Sequence, residues 1–187
     1  DQCIRGQLDW TSTMLNDHDG DGCRDATEDM DDDNDGVVDA SDLCSTGDLG
    51  WTSSASTDYD ADGCQDALED VDDDNDRVCD ASELSSSWAC TPSTASVDLC
   101  PQSTLGFFSN NQNDVDGDGC EDDTEDTDDD NDGFADVVDA CPLDAGTSSL
   151  GSVLGCSDYD SDGYSDSIDV FPTESTQWLD SDGDGYG

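Results

Sequence analysis

Acidic side chains recur along this chain on a fixed twelve-residue frame, with carboxylates at positions 1, 3, 5, 9 and 12 and, in most copies, glycine at position 6. Asp17, Asp19, Asp21, Asp25 and Glu28 form the first frame, and Asp31, Asp33, Asp35, Asp39 and Asp42 the second. Asp58, Asp60, Asp62, Asp66 and Glu69 are followed by Asp72, Asp74, Asp76, Asp80 and Glu83. A third pair comprises Asp114, Asp116, Asp118, Asp122 and Glu125, then Asp128, Asp130, Asp132, Asp136 and Asp139. A single frame follows at Asp158, Asp160, Asp162, Asp166 and Asp169. Side chains at this spacing converge on one point, and the backbone carbonyl of position 7 (Cys23, Val37, Cys64, Val78, Cys120, Phe134 or Tyr164) adds an oxygen. Such a donor set suits calcium, a hard cation that takes six to eight oxygens at about 2.3–2.6 Å in EF-hand-type loops. Seven frames of five acids account for 35 of the 52 acidic residues, too many in one register for chance.

The sixth-position glycine permits a sharp bend. Arg77 replaces it in the fourth frame, where a β-carbon resists positive φ. A distorted or weaker site is expected there, or an arginine that caps a neighbouring carboxylate. Further acids between paired frames (Asp29 and Asp32, Asp70 and Asp73, Asp126 and Asp129) are placed to bridge adjacent ions or recruit more of them.

Against those 52 acids stand Arg5, Arg24 and Arg77 with no lysine, a formal charge of −49. Such a chain repels itself, and low hydrophobicity with high charge is ordinarily a signature of disorder. Ions reverse that: seven divalent cations would leave about −35. Ten cysteines in 187 residues point to a disulfide framework in an oxidising compartment. The acidity argues against nucleic acid as a partner, because its phosphates would be repelled. No run approaches the roughly 18 apolar residues of a membrane span. With no initiating Met and no signal peptide, the chain is expected to be a mature or excerpted piece whose export signal is gone.

The paired frames lie inside a longer repeat. The segments "CIRGQLDWTSTMLNDHDGDGC" (3–23), "CSTGDLGWTSSASTDYDADGC" (44–64) and "CPQSTLGFFSNNQNDVDGDGC" (100–120) match in cysteine, leucine and the frame acids, with Phe107 standing where Trp10 and Trp51 do. The organisation expected is repeat 1 at 1–43, repeat 2 at 44–99 with a disulfide-closed insertion at 79–97, repeat 3 at 100–156, and a terminal segment at 157–187. The 20-residue spacing favours successive pairs: Cys3 with Cys23, Cys44 with Cys64, Cys79 with Cys90, Cys100 with Cys120, and Cys141 with Cys156. A rival frame, Cys23 with Cys44 and Cys120 with Cys141, recurs at 21 residues but breaks in the middle repeat, so connectivity stays open. The insertion carries Trp88 and reads as a surface loop, either a partner-facing one or a tolerated extension.

No segment sustains a helical or strand period, so the fold expected is mostly irregular, with single helical turns at most: small disulfide-rich, calcium-binding repeats stacked into an elongated array. Paired frames start only 14 residues apart, which leaves no room for EF-hand helices. Trp10, Trp51, Phe107 and Phe108 are expected as packing anchors against the disulfides, and His18 as an exposed spacer. One histidine and evenly paired cysteines support no catalytic constellation, so no enzyme is expected.

The stretches "DGCRDATEDMDDDNDGVVDASDLC" and "DGCEDDTEDTDDDNDGFADVVDAC" resemble the thrombospondin type 3 repeats. The resemblance implies a chain wrapped around rows of calcium ions, with linear disulfides, little regular structure and a role in extracellular architecture and adhesion. "FPTESTQWLDSDGDGYG" is similar to spacers in long microbial surface proteins of that kind. Asp180, Asp182, Asp184 and the position-7 Tyr186 begin an eighth frame, and setting "DQC" after "DSDGDGYG" puts Asp1 at its position 9. A calcium site shared head to tail between subunits would generate a filament. The function expected is thus an extracellular or cell-surface structural protein holding about seven to eight or more calcium ions and self-associating into a fibre, filament or stalk. O-linked glycans are expected on "SSSWACTPSTAS" and "AGTSSLGS". The alternatives are a calcium-dependent adhesion module for a glycan or protein receptor, and a dockerin-like plug, which would need helices after its loops.

Overall fold

The computed structural model describes residues 2–80, 90 and 97–186, and among these there is no α-helix and no strand beyond an isolated bridge at Val78. Irregular, disulfide-rich structure is what a chain without apolar periodicity should give. No helix of the described residues is long and apolar enough to cross a membrane. Two compact units divide the chain, Asp1–Phe108 with the first four acidic loops and Ser109–Gly187 with the rest.

Local order consists of short turns. Single helical turns close after the loops, where the amide of Glu28 donates to Arg24 O (2.8 Å), Glu69 to Gln65 O (3.0 Å), Glu125 to Glu121 O (2.9 Å) and Asp169 to Ser165 O (2.9 Å). Another turn leads in, with Asp17 donating to Thr13 O (3.0 Å) and Asp58 to Ser54 O (2.9 Å). A third kind recurs behind a leucine: Asp9, Gly50, Gly106 and Gly151 all take positive φ, at 68°, 88°, 88° and 79°.

Burial is inverted relative to an ordinary domain. Asp35 and Asp76 are fully enclosed, whereas Leu15 is 95 % and Val137 93 % exposed. Among the described residues apolar burial is confined mainly to half-cystines, Val71, Val78 and Phe107, with one small cluster of Val71, Cys79 and Cys90. Such a chain cannot draw its stability from buried apolar area. Disulfides supply part of the constraint: Cys3–Cys23, Cys44–Cys64, Cys79–Cys90 and Cys141–Cys156 are formed, closing loops of 20, 20, 11 and 15 residues. Cys100 and Cys120 are also disulfide-bonded, no cysteine is free, and the rival pairing of Cys23 with Cys44 is excluded. Closing a 15-residue loop removes about 3 kcal/mol of unfolded-state entropy on the chain-entropy account.

Two expectations about side chains are corrected. His18 is not an exposed spacer: it is half-buried and its Nε2 lies 2.9 Å from Gly47 O, 29 residues away. Tyr59, the equivalent residue of the third loop, does the same job, donating its hydroxyl to Ser103 O at 2.9 Å. Position 2 therefore ties each of these loops to the segment that follows. Phe108 is not an inward anchor; it is 49 % exposed beneath the Arg77 guanidinium, 4.9 Å from its ring centroid. Phe107 alone of the four aromatics is fully buried, while Trp10 and Trp51 are half-buried. Trp88 lies outside the described residues.

Candidate metal centres

One ladder of backbone amides donating to carboxylates builds every loop. The position-1 aspartate accepts from the amide of position 6, as Gly22 to Asp17 (3.2 Å), Gly36 to Asp31 (3.2 Å), Gly119 to Asp114 (3.2 Å) and Gly163 to Asp158 (2.8 Å). Position 3 accepts from position 5, seen in Asp21 to Asp19 (2.9 Å) and Asp118 to Asp116 (3.1 Å). Position 5 accepts from position 7, seen in Cys23 to Asp21 (2.6 Å), Val37 to Asp35 (2.7 Å) and Tyr164 to Asp162 (2.8 Å). Position 9 accepts from position 2, as in Asp32 to Asp39 (2.9 Å), Tyr59 to Asp66 (3.0 Å) and Asp129 to Asp136 (3.0 Å). Even the eighth loop forms its first rungs, with Gly185 donating to Asp180 (2.9 Å) and Tyr186 to Asp184 (2.9 Å). Asp1, expected at its position 9, lies outside the described residues.

The ladder requires a left-handed backbone at two positions. Position 6 has φ between 86° and 100° in all eight loops, and position 4 has φ between 53° and 80°, whether it is Gly20, Asn34, Ala61, Asn75, Gly117, Asn131, Ser161 or Gly183. The second requirement was missed in the sequence because glycine fills it only in part; asparagine, which tolerates this region, fills it in the second loop of each pair. There it has a further task. Nδ2 of Asn34, Asn75 and Asn131 donates to Asp19, Asp60 and Asp116, the position-3 acids of the preceding loop.

Arg77 adopts φ 87° and donates its amide to Asp72 at 3.1 Å like the glycines. The fourth loop therefore keeps the backbone of the others and is not distorted, and the guanidinium lies over the Phe108 ring.

The twelfth-position acids fall into two kinds. Glu28 and Glu69 reach back to the start of their own repeat and accept from the amides of Gln7 and Asp48. Asp42, Asp139 and Asp169 each clamp the residue two places on, accepting from Cys44, Cys141 and Phe171, all at 2.6 Å. Glu83 lies outside the described residues. Asp98, which the sequence reading passed over, makes the same clamp to Cys100 at 2.6 Å.

In a subset of these acids the bonds use one carboxylate oxygen and leave the other. Asp31 Oδ1, Asp72 Oδ1, Asp128 Oδ1, Asp42 Oδ2, Asp139 Oδ2 and Asp169 Oδ2 are buried with no hydrogen-bond partner. A buried, unpartnered carboxylate oxygen is costly, and many converging on common centres is a donor set that fits a cation. Positions 1, 3 and 5 of loops one to three (Asp17, Asp19, Asp21; Asp31, Asp33, Asp35; Asp58, Asp60, Asp62) can place one oxygen each within 4.8 Å of one another. The linker acids join in, since Asp25, Asp29 and Asp32 form another such group. Asp29 Oδ2, Asp32 Oδ1, Asp70 Oδ2, Asp73 Oδ1, Asp126 Oδ2 and Asp129 Oδ1 are likewise buried and unpaired. The Cys23 thiol is consumed in its disulfide, so the side chain of that residue is no ligand.

Crowding shows in the acidities. Burial, reinforced by Asp33, Asp35 and Asp62, pushes the Asp42 carboxyl up to about 7. Burial does the same for Asp72, beside Asp74, and for Asp116, beside Asp118, both to about 7. Asp98 rises to about 8 through burial among Asp76, Asp74 and Asp80. Asp17 moves the other way, held low chiefly by the Ser12 hydroxyl; Ser53 plays the corresponding part, donating to Asp58.

No family model matches the chain and no curated protein is significantly similar to it; the chemistry of the site rests on these residues alone.

Proposed function

We propose that this is an extracellular structural protein whose repeats are held in shape by calcium. The observation that carries the reading is the recurrence of one loop in which backbone amides fix the carboxylates, with buried, unpaired oxygens left on acids of the first, second, fourth, sixth and seventh loops. Asp17, Asp19, Asp21, Asp25 and Glu28, and their counterparts in the later loops, would hold the ion. The ion's charge offsets the repulsion among these acids, and its coordination supplies the partners that the oxygens lack. The chain's own residues do the rest: amides at positions 2, 5, 6 and 7 orient the carboxylates before any ion arrives, and the disulfides limit how far an empty loop can open. This arrangement resembles the thrombospondin type 3 design, and with ten disulfide-bonded cysteines it suits an oxidising compartment outside the cell.

The assembly we favour is a fibre, filament or stalk, because a polyanion braced by ions and sulfur has little apolar surface buried and is suited to span rather than to enclose. Extracellular calcium modules commonly bind at about 10⁻⁴–10⁻³ M. Calcium titration of chelator-treated protein, followed by near-ultraviolet circular dichroism and protease resistance, tests the ion; electron microscopy with and without chelator tests the assembly. Signals that stay the same after complete metal removal would refute the calcium reading, and discrete particles in saturating calcium would refute the filament.

A further inference from the structure

The fourth loop departs from the others at its closing position. Its frame names Glu83 as the twelfth ligand, yet the second, sixth and seventh loops show what an aspartate in that place does. Asp42, Asp139 and Asp169 each accept from the amide two residues on, at 2.6 Å, and each keeps its other oxygen buried and unpaired.

Asp98 reproduces this arrangement. Its Oδ1 accepts from Cys100 N at 2.6 Å, its Oδ2 is buried without a partner, and the residue is only 4 % exposed. Its amide donates to Cys79 O at 3.1 Å, which fixes it beside the end of the loop. The carboxylates facing it are Asp76, Asp74 and Asp80, positions 5, 3 and 9 of the fourth frame.

The sequence explains how a residue so distant arrives there. "DGVVDASDLC" at 35–44 and "DRVCDA" at 76–81 followed by "VDLC" at 97–100 are the same ten-residue element, once the 15 residues 82–96 are set aside. In that alignment Cys79 stands for Val38, Asp80 for Asp39 and Asp98 for Asp42.

We infer that Asp98, and not Glu83, is the twelfth-position ligand of the fourth metal centre, so that the insertion leaves the chain between the ninth and twelfth ligands of one ion. The inference rests on the calcium reading above and assigns one of its ligands. Binding an ion here pins both ends of the insertion, at Asp80 and Asp98, in addition to the Cys79–Cys90 bridge.

The test compares calcium stoichiometry, by equilibrium dialysis with elemental analysis, for the full chain and three variants. Asp98→Asn is expected to lose one bound calcium, and Glu83→Gln none. A chain lacking 82–96 and carrying Cys79→Val restores the twelve-residue spacing with Asp98 at its end and is expected to keep the full number; Glu83→Gln decides the matter should Asp98→Asn fail to fold. Loss of an ion in Glu83→Gln, or in the deletion variant, overturns the assignment while leaving the calcium reading intact. A wild-type chain that binds no calcium overturns the reading itself.

Discussion

The side chain of Asp42 occupies the space that a β-carbon on Gly63 would need, its Oδ1 lying 2.2 Å from that position. The twelfth acid of the second loop is thus seated against the sixth residue of the third, and neighbouring cages share a wall.

Gly63 is held to glycine twice, by its φ of 92° and by Asp42, whereas Gly133 has φ 97° and open space around it. Gly133→Ala should cost about 1–2 kcal/mol of backbone strain. Gly63→Ala should cost more and should also weaken calcium binding, because Asp42 must move. Urea midpoints in saturating calcium compare the two; equal losses would show that the shared wall has no energetic weight.

Arg77 carries the same left-handed backbone with a β-carbon, offset by its stacking on Phe108. Relief of strain in Arg77→Gly is worth about 1–2 kcal/mol, against about 0.5–1 kcal/mol lost with the cation–π contact and a similar entropic cost of glycine. The net change should stay within about 1 kcal/mol. Arg77→Ala keeps the strain and loses the stacking, so it should be the less stable of the two variants. Thermal melts in calcium that rank alanine above glycine would contradict this.

Asn34 joins two loops, its backbone in the left-handed region of the second and its amide donating to Asp19 of the first. Asn34→Ala removes a hydrogen bond to a charged group, worth about 1.5–3 kcal/mol, and adds strain. The expected signature is loss of cooperativity between paired sites in a calcium titration, while Ala61→Gly, at the same loop position without that bond, should leave cooperativity unchanged.

The crowded carboxyls fix the sign of a pH effect in the calcium-free chain. Asp98, raised to about 8, and Asp42, Asp70, Asp72 and Asp116, raised to about 7, hold protons more tightly when folded than at the ordinary value of 3.8. Folding therefore takes up protons, its stability being greatest below about pH 4 and lost as pH rises toward 8. Urea midpoints in EDTA should fall across that window. In saturating calcium the trend should reverse, because protons then compete with the ion for the same oxygens. A flat profile in EDTA would mean that the carboxylates are not crowded in the folded chain.

The acidic frames and the irregular fold were legible in the residues, because each acidic loop is local: its carboxylates, its bend and its ladder of amides all fall within twelve positions. The even spacing of Cys3 and Cys23, and of Cys44 and Cys64, favoured one pairing over its rival, and the folded chain decided between them. What escaped that reading was contact between distant segments. His18 meets Gly47, Asn34 meets Asp19, and Asp42 stands against Gly63 because folding brings one loop onto another, which no spacing rule within a frame encodes. Glu83 satisfied the local count, and only the folded chain brought Asp98 to the carboxylates of Asp74, Asp76 and Asp80. Sequence alone determined where each cage begins; tertiary structure decided which acid closes it, since burial and an unpaired oxygen are properties of neighbours in space.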